Sequence, residues 1–439
     1  MIHSHKNIRQ RRSGMIYLLM LGMAMLIAIM VSGALIISRV TARKNAMASN
    51  GLNAEALAET AIEYALTKIN TPTTGPTWRA TNTSAVEGTP VPFNGGTISY
   101  IIKDEITNHL TSTTTNPIRI YGIGRYQGSK KIYSVRCQGE KPLTCLNAAL
   151  CVGGNFAPTQ SHSITGPDFT LATNGTFNGN VAGSGSPYLA DLEAVGSITL
   201  DKVNVAGFTS TGVVARDMPP SNAFESYIAQ GTTITFSSIP SGIIQNVLIS
   251  PSSNPYGTKT NSKGIYIIDC GGLNISITRC RIVGTLVILN PGSACVIGSN
   301  TLGLNWSPAV PNYPCLMFNG NCTFSVGKDA VTPLSESTSP ATNFNPAGTP
   351  YPYYGGTTNA TSTDTYPVAI NGLVYISGNV TGNVGYYSID QLIIGGTYNP
   401  SKDTITFTYD TIPSSKPPPG FGGAGNMVPI PGTWRWEKF

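Results

Sequence analysis

The sequence predicts a mainly β protein led by one long α-helix, in which a small α+β head is followed by a right-handed parallel β-helix. Three observations lead there. Residues 15–37 are 23 consecutive positions without a charged side chain. No proline occurs before position 72, so a helix started early has no reason to break. Beyond Pro142 helical spacing fades, and β-branched runs of three to six residues alternate with Gly, Asn and Ser, the composition of short strands and turns.

The elements follow in order. Residues 1–14 form a basic leader carrying Lys6, Arg9, Arg11 and Arg12 and no acid. Residues 15–37, with Met15, Leu19, Leu26 and Ile37 among them, read as a transmembrane helix, because about 20 apolar residues at about 1.5 Å each span the bilayer core. Basic residues resist translocation, so the leader is expected in the cytoplasm and the bulk of the chain in the periplasm or at the cell surface, on a single-pass anchor in the cytoplasmic membrane. Arg39, Arg43 and Lys44 lie on the far side and weaken that bias. A cleaved secretory signal is the main rival, since Ala46-Met47-Ala48 has small residues at cleavage spacing. Three basic residues nevertheless intervene, where an ordinary signal cuts soon after a shorter apolar core. A buried core helix is rarely apolar on every face, and no cysteine precedes Cys137 to carry a lipid.

Charge is segregated. Residues 1–54 hold seven Lys/Arg and no Asp/Glu, which leaves 20 basic against 21 acidic residues in the rest. The net charge of +6 therefore belongs to the membrane region, and no nucleic-acid-binding face is expected. Residues 38–70 read as an amphipathic stalk. Ala58, Ala61, Ile62, Ala65, Leu66 and Ile69 recur at helical spacing, and Glu55, Glu59 and Glu63 mark another face. Gly51 is the weakest point of this helix.

The leader ending Arg11-Arg12-Ser13-Gly14, the apolar helix, and the stretch Ala54-Glu55-Ala56-Leu57-Ala58-Glu59-Thr60-Ala61 together resemble the start of type IV pilin-like proteins, closest to the PilX N-terminal group of minor pilins. The resemblance implies cleavage by a prepilin peptidase after Gly14, leaving Met15 as the mature N-terminus. It also implies other pilin-like subunits and an assembly machinery as partners. Most major pilins carry glutamate at the fifth mature position, where this chain has Leu19; that departure fits a minor or tip role. Residues 71–141 support the comparison, with β-rich pieces at 97–102, 118–126 and 131–136 that fit a small antiparallel head. Burying the stalk's apolar stripe on such a sheet stabilises by about 25 cal/mol per Å².

Residues 142–330 and 367–412 read as β-helix, with strand runs at 264–270, 273–277, 280–289 and 294–298, then 368–378, 389–397 and 404–409. Turns this frequent suit coils of short strands stacked on their neighbours. The layout also resembles large uncharacterised envelope proteins of bacteria such as planctomycetes, a likeness that adds architecture and no activity. Cys270, Cys295 and Cys322 are spaced by 25 and 27 residues, close to one coil, and are candidates for a stacked inward ladder. In the disulfide reading, Cys270 joins Cys280, Cys315 joins Cys322, and two among Cys137, Cys145 and Cys151 pair.

Residues 331–366 read as a solvated insertion, whose Pro350-Tyr351-Pro352-Tyr353-Tyr354 run offers contact area. Residues 413–439 read as an extended Pro-rich tail, with Trp434 and Trp436 capping the last coil or, as the alternative, stacking on surface glycans. Arg216 to Tyr227 reads as a short helix between two β segments.

Catalysis is not expected, and no catalytic, cofactor or metal site is assigned. Asp269, Asp390, Asp403 and Asp410 are isolated, Arg279 and Arg281 fit solvent-facing alternation, and His109, His162 and Asp168 do not make a triad. No CxxC metal spacing occurs. The expected function is that of a non-enzymatic pilin-like envelope subunit, a minor or tip component of a type IV pilus or type II secretion-like filament. A membrane-anchored surface adhesin is the alternative, and a β-helix polysaccharide-degrading enzyme stands behind both.

Overall fold

The computed structural model describes residues 7–71, 86–105, 117–158, 163–165, 169–179, 186–188, 190–200, 203–298, 303–325, 333–349, 360–382, 385–401, 403–423 and 426–438. His109, His162, Asp168 and the tyrosine-rich run at 350–354 lie outside them.

A single helix, α1 (Asn7–Asn70), runs through the apolar segment and the stalk without a break. Gly51 stays helical, and so does Ala46-Met47-Ala48. The helix stops where the sequence requires it, one residue before Thr71, which the following Pro72 disfavours in α conformation. Asn70 secures this end: its Nδ2 donates to the Met427 carbonyl (2.9 Å) and its Oδ1 accepts from the Met427 N–H (2.8 Å).

The head is an antiparallel meander of β1 (Val91–Phe93), β2 (Gly96–Asp104), β3 (Ile118–Tyr126) and β4 (Ser129–Gly139). The three expected strand pieces fall inside β2, β3 and β4. The C-terminal half of α1 lies across this sheet, with Ala54, Ala58, Ala61 and Ala65 at 0% exposure. Two glycines of β3 make the approach this close. A Cβ on Gly122 would stand 2.7 Å from Ile62 Cγ1, and one on Gly124 would stand 2.8 Å from Leu57 Cβ. The stalk's apolar stripe is thus buried on the chain's own sheet, as expected.

The tail departs from expectation. It does not cap a coil: Met427–Pro429 and Arg435–Trp436 pair antiparallel with β4 and widen the head sheet. Trp434 and Trp436 pack on Tyr133, with ring centroids at 5.5 and 4.4 Å. A bare β4 edge would leave its N–H and C=O groups unpaired.

Most of the remaining described strands are short, and apart from one antiparallel pair in the insertion they are parallel, the majority in three stacks. The first runs Thr232–Thr233, Ile265–Asp269, Thr285–Leu289, Leu316–Phe318, Ala369–Ile376, Gly385–Ile394, Leu150–Val152, Thr170–Thr173, Asp191–Ala194 and Thr209–Thr211, each paired in parallel with the next. The second includes Leu248–Ile249, Arg281–Val283, Asn305–Ser307, Asp403–Phe407 and Ser163–Thr165. The third includes Ile243–Ile244, Ser276–Ile277, Val296–Ile297, Cys322–Phe324, Val380–Gly382 and Tyr398–Asn399, and Phe156 bridges Tyr398 to Phe177. The inward faces share one core holding Phe156, Phe177, Ile268, Ile282, Trp306, Phe324 and Val374.

The stacking order is not the chain order. The chain enters mid-stack at Leu150–Val152, winds outward to Thr209–Thr211, crosses, and resumes at the opposite end with Thr232–Thr233. It then winds back until Leu392 meets Leu150. The expected helix between Arg216 and Tyr227 lies on this crossing, as a 3-10 turn at Ser221–Phe224 leading into Glu225–Ile228. One corner recurs with a five-residue signature: Val152-Gly153-Gly154-Asn155-Phe156, Thr173-Asn174-Gly175-Thr176-Phe177, Phe318-Asn319-Gly320-Asn321-Cys322, Ile376-Ser377-Gly378-Asn379-Val380 and Ile394-Gly395-Gly396-Thr397-Tyr398. The central glycines bond to one another in a ladder: Gly175 N–H to Gly154 O (3.1 Å), Gly154 to Gly396 (2.8 Å), Gly396 to Gly378 (3.0 Å) and Gly378 to Gly320 (3.1 Å). A Cβ on Gly378 would meet Asn321 Oδ1 at 2.5 Å, so the corner needs glycine.

The insertion is anchored in its described parts. Leu334–Ser335 pairs with Thr365–Tyr366, and Leu334, Phe344 and Tyr366 form a small core with Leu248. Arg279 and Arg281 do not face solvent, being 3% and 4% exposed beneath this segment. Arg281 donates to the Phe344 carbonyl (2.8 Å), and Arg279 donates to Asn246 and to the Thr338 carbonyl. Buried Glu336 accepts from the Phe344 N–H (2.6 Å) and the Tyr366 hydroxyl (2.8 Å).

Candidate assembly surface

Two parts of α1 have opposite fates. From Ala54 onward one face is buried on the head, whereas the apolar run before it is bare. Met15 is 74% exposed, Leu19 63%, Leu26 56% and Ile37 68%. By length and composition this is the one described helix able to cross a membrane, and none of its most apolar stretch is covered by the rest of the chain. Gly14 and Met15 sit at its start, both helical and exposed. In water each such side chain forgoes about 1.5–3 kcal/mol of burial, so the surface calls for lipid or apolar partner helices. Leu19 adds no charge to that surface.

A polar joint fixes the head to the crossing segment. Glu105, one residue past β2, holds Arg119 of β3 (2.9 Å) and Arg136 of β4 on its two oxygens. Arg136 also reaches the Asn222 carbonyl (3.3 Å) and Glu225 (3.4 Å), and Asn222 Nδ2 donates to Glu105 (3.3 Å). Gln138 Oε1 accepts from the Gly420 N–H (2.6 Å). The sequence reading missed this cluster. Its signal was a pair of arginines at inward-alternating strand positions with one nearby carboxylate, which a buried ion pair requires.

All eight cysteines are buried free thiols. The candidate pairs are not made: Cys145 and Cys151 lie in one core cluster as separate thiols, and the turns carry the other candidates to different walls. Cys270 follows a strand of the first stack and Cys280 precedes one of the second, while Cys315 precedes a first-stack strand and Cys322 starts a third-stack strand. Cys137 lies in β4, Cys145 in a 3-10 turn and Cys151 in Leu150–Val152, where the chain enters the first stack. Of the proposed ladder, two members hold. Val296 is level with Thr323, which sets Cys295 beside Cys322. Asp269 is level with Leu289, so Cys270 is in register with Asn290 and not with Cys295, although the two thiols are near enough to interact. Burial pushes Cys145 and Cys315 well above the ordinary thiol value, and Cys151 and Cys270 up to about 12. None of these four offers a thiolate near neutral pH.

Two of the isolated aspartates serve corners. Asp269 accepts from Asn290 Nδ2 (2.9 Å) and from the Gly271 N–H (3.0 Å), bonds that hold its carboxyl below the usual range. Asp390 accepts from the Thr408 hydroxyl, and burial raises its pKa. Among the described residues no three His, Cys, Asp or Glu side chains converge as a metal site.

No protein-family model matches the chain, and no curated protein sequence matches it. Among solved structures it is similar to the crystal structure of the competence-associated pilin ComZ from Thermus thermophilus. Identity is 11% and the TM-score 0.33, over 89% of this chain and 98% of that chain, a superposition too loose to carry an argument.

Proposed function

We propose that this chain is a non-enzymatic pilin-like envelope subunit, a minor or tip component of a type IV pilus or type II secretion-like filament. One observation carries the reading: a single unbroken helix is bare and apolar over its first half and fastened to an antiparallel head over its second. Such a rod has two stable settings, the bilayer before assembly and a bundle of like helices after it. A prepilin peptidase would cut between Gly14 and Met15, with the leader in the cytoplasm and the head and stacked strands outside. The three parallel stacks support a β-helix displayed on the filament, which we take to wind right-handed. No enzyme activity is assigned to it.

The test is Gly14→Trp in the producing cell. Wild-type protein is expected as a processed chain starting at Met15, and the variant as an unprocessed chain held in the membrane fraction. Identical N-termini in both would overturn the pilin-like reading, and an uncut anchor in both would favour a fixed surface adhesin.

A further inference from the structure

The flank of the head carries a groove of about 640 Å³ that no step above uses. One wall is α1, through Ala56, Glu59, Thr60 and Glu63; the other is Tyr133 of β4 and Trp434 of the tail. Glu59 and Glu63 are exposed, and neither takes part in an ion pair among the described residues. Two carboxylates facing two aromatic rings suit a guanidinium or ammonium, which gains charge pairing from one wall and ring-face attraction from the other. The head already uses ring–cation contact nearby, where Lys131 Nζ lies 5.7 Å from the Trp436 ring centre.

The matching cations are on the same helix. Arg39, Arg43 and Lys44 are exposed, and residues 1–54 contain no acid to pair with them. They cannot reach the groove of their own chain. Arg43 precedes Glu59 by 16 residues and Glu63 by 20, which is about 24–30 Å along a straight helix. At about 100° per residue, Arg39 and Arg43 stand roughly 160–200° around the helix from Glu59, on the opposite side. That placement leaves each copy with a basic band on one side and an acidic, aromatic groove on the other, higher up. Contacts of this kind join unlike surfaces and extend instead of closing on themselves.

We infer that the groove receives the Arg39/Arg43 band of a second copy of this chain, parallel and displaced along the axis by about 24–30 Å. The inference rests on the proposed filament role and deepens it. It favours a minor subunit present in adjoining copies over a single terminal one.

The test uses full-length chains in the producing cell, with filaments sheared from the cells and collected, because two copies held at one depth in a bilayer cannot adopt this displacement. Two differently tagged copies are co-expressed, one with Arg43→Cys and the other with Glu59→Cys, and mild oxidation is applied; the eight natural thiols are buried. A cross-linked dimer is expected from the mixed pair and not from either variant with itself. Adding Arg39→Glu to the first copy should lower the cross-linked fraction about tenfold, the ratio that about 1.4 kcal/mol sets, and Glu63→Arg in the second copy should restore it. Arg43→Cys linking to itself, or no mixed link while tagged wild-type copies still co-purify, would overturn this inference alone. Failure of wild-type copies to co-purify at all would also overturn this inference and leave a single terminal subunit, whereas a chain left uncut at Gly14 would overturn the filament role itself.

Discussion

Gly122→Ala tests the seam between helix and head with a single methyl group. The added Cβ would meet Ile62 Cγ1 at 2.7 Å and Ile62 N at 3.1 Å, and come closer still to the Ala58 carbonyl oxygen. Ordinary contact begins near 3.4 Å, so α1 must lift by most of an ångström or more along this line. It has little freedom to do so, because Gly124 pins it one step away and Asn70 ties its end to Met427. Overpacking a well-filled core costs about 1–3 kcal/mol, and with backbone as the obstacle we expect about 3 kcal/mol. The assay is hydrogen exchange in the detergent-solubilised full chain, read on peptides covering β3. Protection there should fall about a hundredfold, since each tenfold step is about 1.4 kcal/mol. Gly51→Ala is the control: only Lys131 Cε comes near, at 4.0 Å, and the change should stabilise α1 by up to about 1 kcal/mol. Unchanged β3 protection in Gly122→Ala would refute the argument that these glycines set the helix–sheet distance.

Three further outcomes follow from the same geometry. Asn70→Ala removes both bonds to Met427 and should destabilise tail docking by about 1–3 kcal/mol, seen as early proteolysis beyond residue 426; a tail as resistant as wild type would count against the latch. Glu87 accepts from Arg125 (3.0 Å) and Ser99 (2.5 Å), and the Arg125 bond holds its pKa below the ordinary 4.5 despite partial burial. A carboxyl depressed on folding stabilises fully above that value and loses its effect as pH falls through the lowered one, so β2 protection should drop in acid, and Glu87→Gln should flatten the profile. Iodoacetamide should leave all eight thiols unmodified in the native chain and alkylate all eight in denaturant without reductant; adduct counts below eight in denaturant would reveal disulfides.

Much of this was legible because local chemistry decided it. The helix needed only an apolar run and no proline before position 72, and β2, β3 and β4 announced themselves by β-branched and aromatic alternation. The parallel stacks were legible as a class, from turns too frequent for long hairpins. Their order was not, since the joint of Leu392 with Leu150 depends on a contact far apart in sequence. The five-residue corner ending in Phe156, Phe177, Cys322, Val380 or Tyr398 was in plain sight and would have set the coil boundaries. The tail misled because its prolines read as extended chain, whereas Met427–Pro429 finds an open strand edge that only the folded head creates. Arg279 and Arg281 misled for a similar reason: alternation locates a side chain on a face but does not say that an insertion covers that face.

The most direct test of the central claim is the intact mass of the protein extracted from membranes, with thiols alkylated under denaturing conditions. The account predicts a chain beginning at Met15, recovered in the membrane or filament fraction and carrying eight alkyl groups. A soluble chain beginning after Ala48, without its apolar helix, would contradict it.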